Sequence, residues 1–139
     1  MGLFGKKPEK KILFVCVENA GRSQMAEGFF RKYAPKGYEA ISAGTKPTPK
    51  INPIAVEVMK EVGIDLSKKE PKILTNEIIK ESILNVNMGF MDKAECPAVF
   101  MKSYVDWNIE DPKGKSIEQV RKIRNNIELK VRQLCKTLE

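Results

Sequence analysis

Cys16 and Arg22 are the reactive side chains around which this sequence is arranged. Val17, Glu18, Asn19, Ala20 and Gly21 lie between them, and Ser23 follows directly. The apolar run Ile12-Leu13-Phe14-Val15 leads into the cysteine. A helical pattern with Met25, Ala26, Phe29, Phe30 and Tyr33 on one face leads away from the arginine. The hydrophobic period thus switches from strand to helix across Cys16 to Ser23. A thiol at a strand end, an arginine at a helix start and a glycine-containing loop between them make a cradle for an oxyanion. Loop N–H groups and first-turn N–H groups have no internal partners, so they point at an entering anion. The same positive field favours a thiolate, and Cys16 is therefore expected to ionise near neutral pH, helped by a Ser23 hydroxyl that donates to sulfur. Arg22 offers a planar fork suited to two oxygens of a tetrahedral anion. Asn19 is expected to lock the loop by hydrogen-bonding its backbone. Glu18 is expected to point outward, because an inward carboxylate would oppose the thiolate. A free cysteine is often only a small hydrophobe. The strand before it, the helix after it, the internal glycine and the following serine favour chemistry here.

The chain contains no histidine, which excludes Cys–His and Ser–His catalysis and leaves Cys16 to be activated by its own loop. Three cysteines, at 16, 96 and 135, are too few and too scattered for a disulfide framework or a zinc site, so no metal is expected. A tetrahedral oxyanion needs a proton donor when one of its oxygens departs. Asp111 is the candidate, since Pro112 restrains its backbone to an extended form that can aim a carboxylate from a loop. Taken alone, Asp111-Pro112-Lys113-Gly114 would read as a solvated turn. Cys135 flanks the apolar stripe of the last helix and reads as packing.

Cys16 through Ser23 resembles the active-site loop of the low-molecular-weight protein tyrosine phosphatase superfamily. The longer run from Cys16 through Ser23 to Gln24-Met25-Ala26 resembles its arsenate reductase branch. Ser42-Ala43-Gly44-Thr45, Asn52-Pro53, Val62-Gly63-Ile64-Asp65 and Asp111-Pro112 agree with the same superfamily, and the resemblance runs from Lys11 onward. It implies that Cys16 is the nucleophile, Arg22 and the loop from Val17 to Ser23 bind the oxyanion, and Asp111 is the general acid. Two activities follow. In arsenate reduction, Cys16 attacks arsenate, Asp111 protonates the departing oxygen and a second thiol releases arsenite. In phosphomonoester hydrolysis, the same thiolate forms a phosphocysteine and Asp111 later acts as base for water. The segment from Met88 to Pro97 resembles the redox segment of thioredoxin-linked arsenate reductases, with Phe90 where the first of two cysteines is expected and Cys96 as the remaining thiol. Three roles stand open for Cys96: direct attack on Cys16, replacement by an external low-molecular-weight thiol, or inertness. The resemblance implies no bound cofactor, only an external reductant such as thioredoxin or a small thiol. Tyrosine-specific members place aromatic residues after the Asp-Pro pair. Lys113-Gly114 follow it here, leaving Trp107 or Phe90 as candidates for an opposing wall. Overall resemblance favours the reductase over the phosphatase.

A net charge of +7 suits anionic partners in general, yet the lysines are spread along the chain without a basic stripe carrying interleaved aromatics. A non-catalytic oxyanion-binding or nucleic-acid-binding module therefore ranks last. No apolar run approaches a membrane span, and no signal-peptide core follows the first residues, which points to the cytoplasm. Residues 1–10 read as a flexible basic extension, and residues 11–139 as one domain.

Tyr38 to Ser42 reads as a second strand. Asn52 caps a helix begun by Pro53 and ended by Gly63, with Ala55, Val56, Met59 and Val62 as its buried stripe. Leu66 to Lys72 reads as a polar connector, and Thr75 caps a short helix through Lys80. Ile83 to Met88 reads as the third strand, and Ala98 to Trp107 is expected to contain a fourth, with Tyr104 to Trp107 the candidate stretch. Ser116 and Gln119 form a capping box for a long final helix, whose stripe is Val120, Ile123, Ile127, Val131, Leu134 and Leu138. Alternating strands and helices predict a single three-layer α/β domain, a four-stranded mostly parallel sheet with helices on both faces. The carboxyl ends of such strands, where Cys16 falls, are where ligands bind.

Overall fold

Burial on both sides explains the unbroken apolar run of β1 (Lys10–Cys16) in the computed structural model, which describes residues 10–89 and 104–139. Ile12 and Phe14 face one core, and Leu13 and Val15 face another; all four are fully enclosed. A strand covered on both faces reads as continuous hydrophobic sequence rather than alternation. β1 pairs in parallel with β2 (Tyr38–Gly44) and β3 (Ser82–Asn87), and β3 pairs in parallel with β4 (Tyr104–Asp106). The strand order is β2-β1-β3-β4, so the expected mostly parallel sheet is parallel throughout.

α1 (Arg22–Tyr33), α2 (Pro53–Lys60) and α4 (Ile117–Thr137) share the larger core, where Phe29, Phe30, Met59 and Ile127 are fully buried. The short α3 (Asn76–Glu81) covers the other face through Ile79 against Leu13, Val15 and Ala43. The three-layer arrangement is therefore present, weighted to one side. No helix among the described residues is long and apolar enough to cross a membrane.

The caps form as their residue types dictate. Asn52 Oδ1 accepts from the backbone N–H of Ile54 (2.9 Å) and Ala55, and Ser116 and Gln119 make the reciprocal box that starts α4. Such caps are worth about 1 kcal/mol each.

Several expectations need correction. β1 begins at Lys10, inside the stretch read as an extension. In α2 the buried positions are Ala55, Val58 and Met59, while Val56 and Val62 are only half-buried. Val58 turns inward where α4 packs, and its carbonyl accepts Arg124 Nη1 at 2.8 Å. α2 itself stops at Lys60, ahead of Gly63. Leu66, in the supposedly polar connector, is 1% exposed and plugs the core. Part of the stretch expected to contain the fourth strand, residues 98–103, lies outside the described residues.

Arg124 joins α4 to the end of α2, and Arg121 does the same from the surface. Glu61 accepts from Arg121 Nη2 at 2.7 Å and from Arg124 Nη1 at 2.7 Å. These guanidiniums, Arg121 foremost, hold the Glu61 carboxyl down to about 2 from an ordinary 4.5. A depressed folded value means that the stabilisation is complete above the unfolded value and is lost as pH falls through the folded one. Glu61→Gln is expected to lower Tm at neutral pH, and the gap from the parent protein should close progressively between pH 4.5 and 2 in thermal melts.

Candidate active site

Cys16 is the last residue of β1, and the loop from Cys16 to Gly21 spans the gap to the start of α1. Every carbonyl of that loop is engaged. The oxygens of Cys16, Val17, Glu18 and Ala20 accept from the backbone N–H groups of Thr45, Lys46, Thr48 and Asn52 at 2.8–3.2 Å. The Asn19 oxygen accepts from Gln24 Nε2 at 3.1 Å, and the Gly21 oxygen from Met25 N at 3.0 Å. A peptide plane whose oxygen is held on one side presents its N–H to the other. The loop is thereby built as a nest of donors.

Gly44 lets the two segments meet. A Cβ there would stand 2.5 Å from the Val17 carbonyl oxygen and 2.8 Å from the Asn19 nitrogen, both backbone atoms. Nothing in the sequence signals this close approach.

The thiol receives two contacts from the loop. Asn19 N–H donates to Cys16 Sγ at 3.2 Å, and Ser23 Oγ lies 2.8 Å from the sulfur. Asn19 adopts φ +52°, a left-handed conformation that asparagine tolerates better than most residues. Its side chain does not close on its own backbone, as the sequence suggested. Instead Nδ2 donates to Ser23 Oγ at 2.7 Å, and Oδ1 accepts from Lys72 N–H at 2.9 Å and Gln24 Nε2 at 3.0 Å.

Arg22 is 6% exposed and anchored from behind. Its Nη1 donates to the carbonyls of Met88 (3.2 Å) and Ile109 (2.8 Å), beyond the ends of β3 and β4. Nη2 lies 3.8 Å from Asp111 Oδ2. One arm of the expected fork is thus spent on the scaffold, leaving Nε and Nη2 for an anion.

Asp111 stands on the opposite rim, 58% exposed, with Oδ1 accepting from Lys113 N–H at 3.0 Å. Pro112 is buried against the nest, since a Cβ on Gly21 would come within 2.9 Å of its Cγ. Glu18 extends to Lys113 Nζ at 2.9 Å, so its carboxylate faces the rim rather than the sulfur. Glu18 in turn pushes the Lys113 ammonium pKa up.

These groups enclose a cavity of about 190 Å³ lined by Cys16, Arg22, Asn52 and Asp111 among others, with no aromatic side chain in its lining among the described residues. That is below the roughly 300–1,000 Å³ usual for drug-sized ligands. Trp107, a candidate wall, instead packs its ring against Phe14 at 5.7 Å. Phe90 and Cys96 lie outside the described residues. Cys135 is buried in α4, and desolvation pushes its thiol pKa up, as suits packing. Among the described residues, no group of three histidine, cysteine or carboxylate side chains could hold a metal ion.

The sequence pattern describing low molecular weight phosphotyrosine protein phosphatases matches residues 11–139. The chain belongs to that family. Its arsenate-reductase-like branch is indicated by an arsenate reductase 2 from Staphylococcus saprophyticus, 36% identical over 128 residues that span 90% of this chain and 95% of that protein. A solved arsenate reductase in the phosphate binding state superposes with TM-score 0.84 at 30% identity, covering 94% of this chain and 99% of its own. An arginine phosphatase from Geobacillus stearothermophilus is similar at TM-score 0.83 and 28% identity, covering 93% of this chain and 92% of its own. Members are cysteine-dependent phosphatases and arsenate reductases, so this chain is an enzyme.

Gly44→Ala tests the packing of the nest. A methyl group forced against Val17 and Asn19 must displace the loop, and displacements of about 1 Å at reacting groups cost on the order of 100-fold in rate. kcat/KM is expected to fall by about that factor in steady-state assays, while far-ultraviolet circular dichroism stays that of the parent.

Proposed function

We propose that this enzyme reduces arsenate. The observation that carries the reading is the small cavity bounded by the Cys16 nest, Arg22 and Asp111, which among the described residues has no aromatic platform and suits a bare tetrahedral oxyanion better than an aryl phosphate. The 36% identity to an arsenate reductase supports it.

The Cys16 thiolate attacks arsenic, and an S–As bond forms as an As–O bond breaks. Asp111 donates a proton to the departing oxygen, which leaves as water. Nest N–H groups and the free arm of Arg22 hold the remaining oxygens as charge builds on them. A second thiolate then attacks Cys16 sulfur. The S–As bonding pair stays on arsenic, giving arsenite, and the two thiols are oxidised to a disulfide. Cys96 is the intramolecular candidate for that thiol. Thioredoxin or a low-molecular-weight thiol restores the dithiol, which suits a reducing, cytoplasmic setting.

The second reading is phosphomonoester hydrolysis through a phosphocysteine. It is favoured by the cysteine inventory: Phe90 stands where the relay resemblance expects a thiol, and only Cys96 and Cys135 remain besides the nucleophile.

A paired assay on the purified protein separates them. Arsenate with thioredoxin or a small thiol should yield arsenite, while an aryl phosphate without reductant should release no phosphate; the reverse outcome removes the reductase reading. Cys16→Ser should abolish the activity found. Cys96→Ser should affect only reduction. Asp111→Asn should lower kcat by about 10²–10⁴, the usual reach of a positioned proton donor.

A further inference from the structure

Gln24 is 1% exposed, and no step above uses it. Its Nε2 lies 3.1 Å from the Asn19 carbonyl oxygen, 3.0 Å from Asn19 Oδ1 and 3.4 Å from the Glu70 carbonyl oxygen. Its Oε1 has no hydrogen-bond partner among the described residues. Turning the amide over would set Oε1 against three acceptors, so those oxygens fix the NH₂ end toward the nest. A buried amide with an unpaired oxygen is less favourable than an apolar side chain of the same shape. Packing alone does not account for it.

We propose that Gln24 is a positioning residue that sets the direction of the hydrogen-bond chain ending on Cys16 sulfur. The inference rests on the reading of Cys16 as a thiolate nucleophile. Gln24 Nε2 and Lys72 N–H both donate to Asn19 Oδ1, which turns Asn19 Nδ2 toward Ser23 Oγ. Ser23 oxygen then accepts from Asn19, and its one proton is left for Cys16 Sγ, 2.8 Å away. If the Asn19 amide turned over, its oxygen would face Ser23 and draw that proton from the sulfur. Ser23 would then present a lone pair to a developing thiolate. Gln24 also holds the Asn19 carbonyl, the one loop oxygen between Cys16 and Gly21 that no backbone N–H among the described residues engages. One side chain therefore acts on both the shape of the nest and the polarity of the serine.

The test reads the thiol without asking which substrate it takes, so its failure is separate from a failure of the reductase assignment. The pH dependence of iodoacetamide alkylation is followed at Cys16 by peptide mass spectrometry. The proteins compared are the parent, Gln24→Met, Gln24→Glu, Ser23→Ala and the double variants. Gln24→Met, which keeps the shape without the donors, should move the midpoint up by about one unit, a tenfold loss of thiolate below it. Gln24→Glu, which sets acceptors against acceptors, should move it at least as far, and it carries the test if the methionine variant does not fold. In the Ser23→Ala background, both shifts should largely vanish, because the path runs through that hydroxyl. An unmoved midpoint in the single variants, or a full shift without the serine, overturns the proposal. The parent protein gives an independent reading by NMR. The side-chain NH₂ signals of Gln24 and Asn19 should both follow the thiol titration, and a still Gln24 signal beside a moving Asn19 overturns it too.

Discussion

The site depends on the outward tethering of the backbone oxygens between Cys16 and Gly21. Four are held by the N–H groups of residues 45–52, one by Gln24 and one by the first turn of α1. Left free, those oxygens could swing into the cavity and repel any oxyanion. Held back, they leave the opposite edge of each peptide as a donor. The nest is therefore a product of two segments, and the second reaches the first only because Gly44 has no side chain.

The sheet supplies the rest of the geometry. β1 is buried on both faces, which fixes where its last residue ends, and that residue is the thiol. Arg22 is tied through Nη1 to carbonyls that follow β3 and β4, so the ends of three strands converge on one guanidinium and one sulfur. The rim is set differently. Asp111 is exposed, and its loop is located by Pro112 against Gly21 and by the ion pair of Lys113 with Glu18. An exposed pair of this kind contributes little stability. Both of its members line the cavity.

What could be read in the sequence was local. The strand-to-helix switch at Cys16, the Asn52 cap with Pro53 behind it, and the box of Ser116 and Gln119 each lie within a few residues, and each forms as its chemistry dictates. What escaped depended on distant partners. The inward turn of Val58 follows from α4, and the burial of Arg124 from Glu61 and the Val58 carbonyl. Leu66 enters the core from a connector that is otherwise polar apart from Pro71. Asn19 was expected to serve its own backbone, yet its partners are Ser23, Gln24 and Lys72. Lys113 gave no sign that it would find Glu18, 95 positions away. Periodicity and capping rules see neighbours along the chain, whereas a site assembled from loop ends is decided by tertiary contact.

We propose that the Cys16 loop holds a tetrahedral dianion directly over a reactive sulfur. Alkylation of Cys16 by iodoacetamide at neutral pH, with and without added phosphate or arsenate, tests it most directly. Rapid modification that either anion suppresses in a saturable way, while sulfate-free chloride at matched ionic strength does not, is the predicted result. Sluggish modification, indifferent to both anions, would contradict the account.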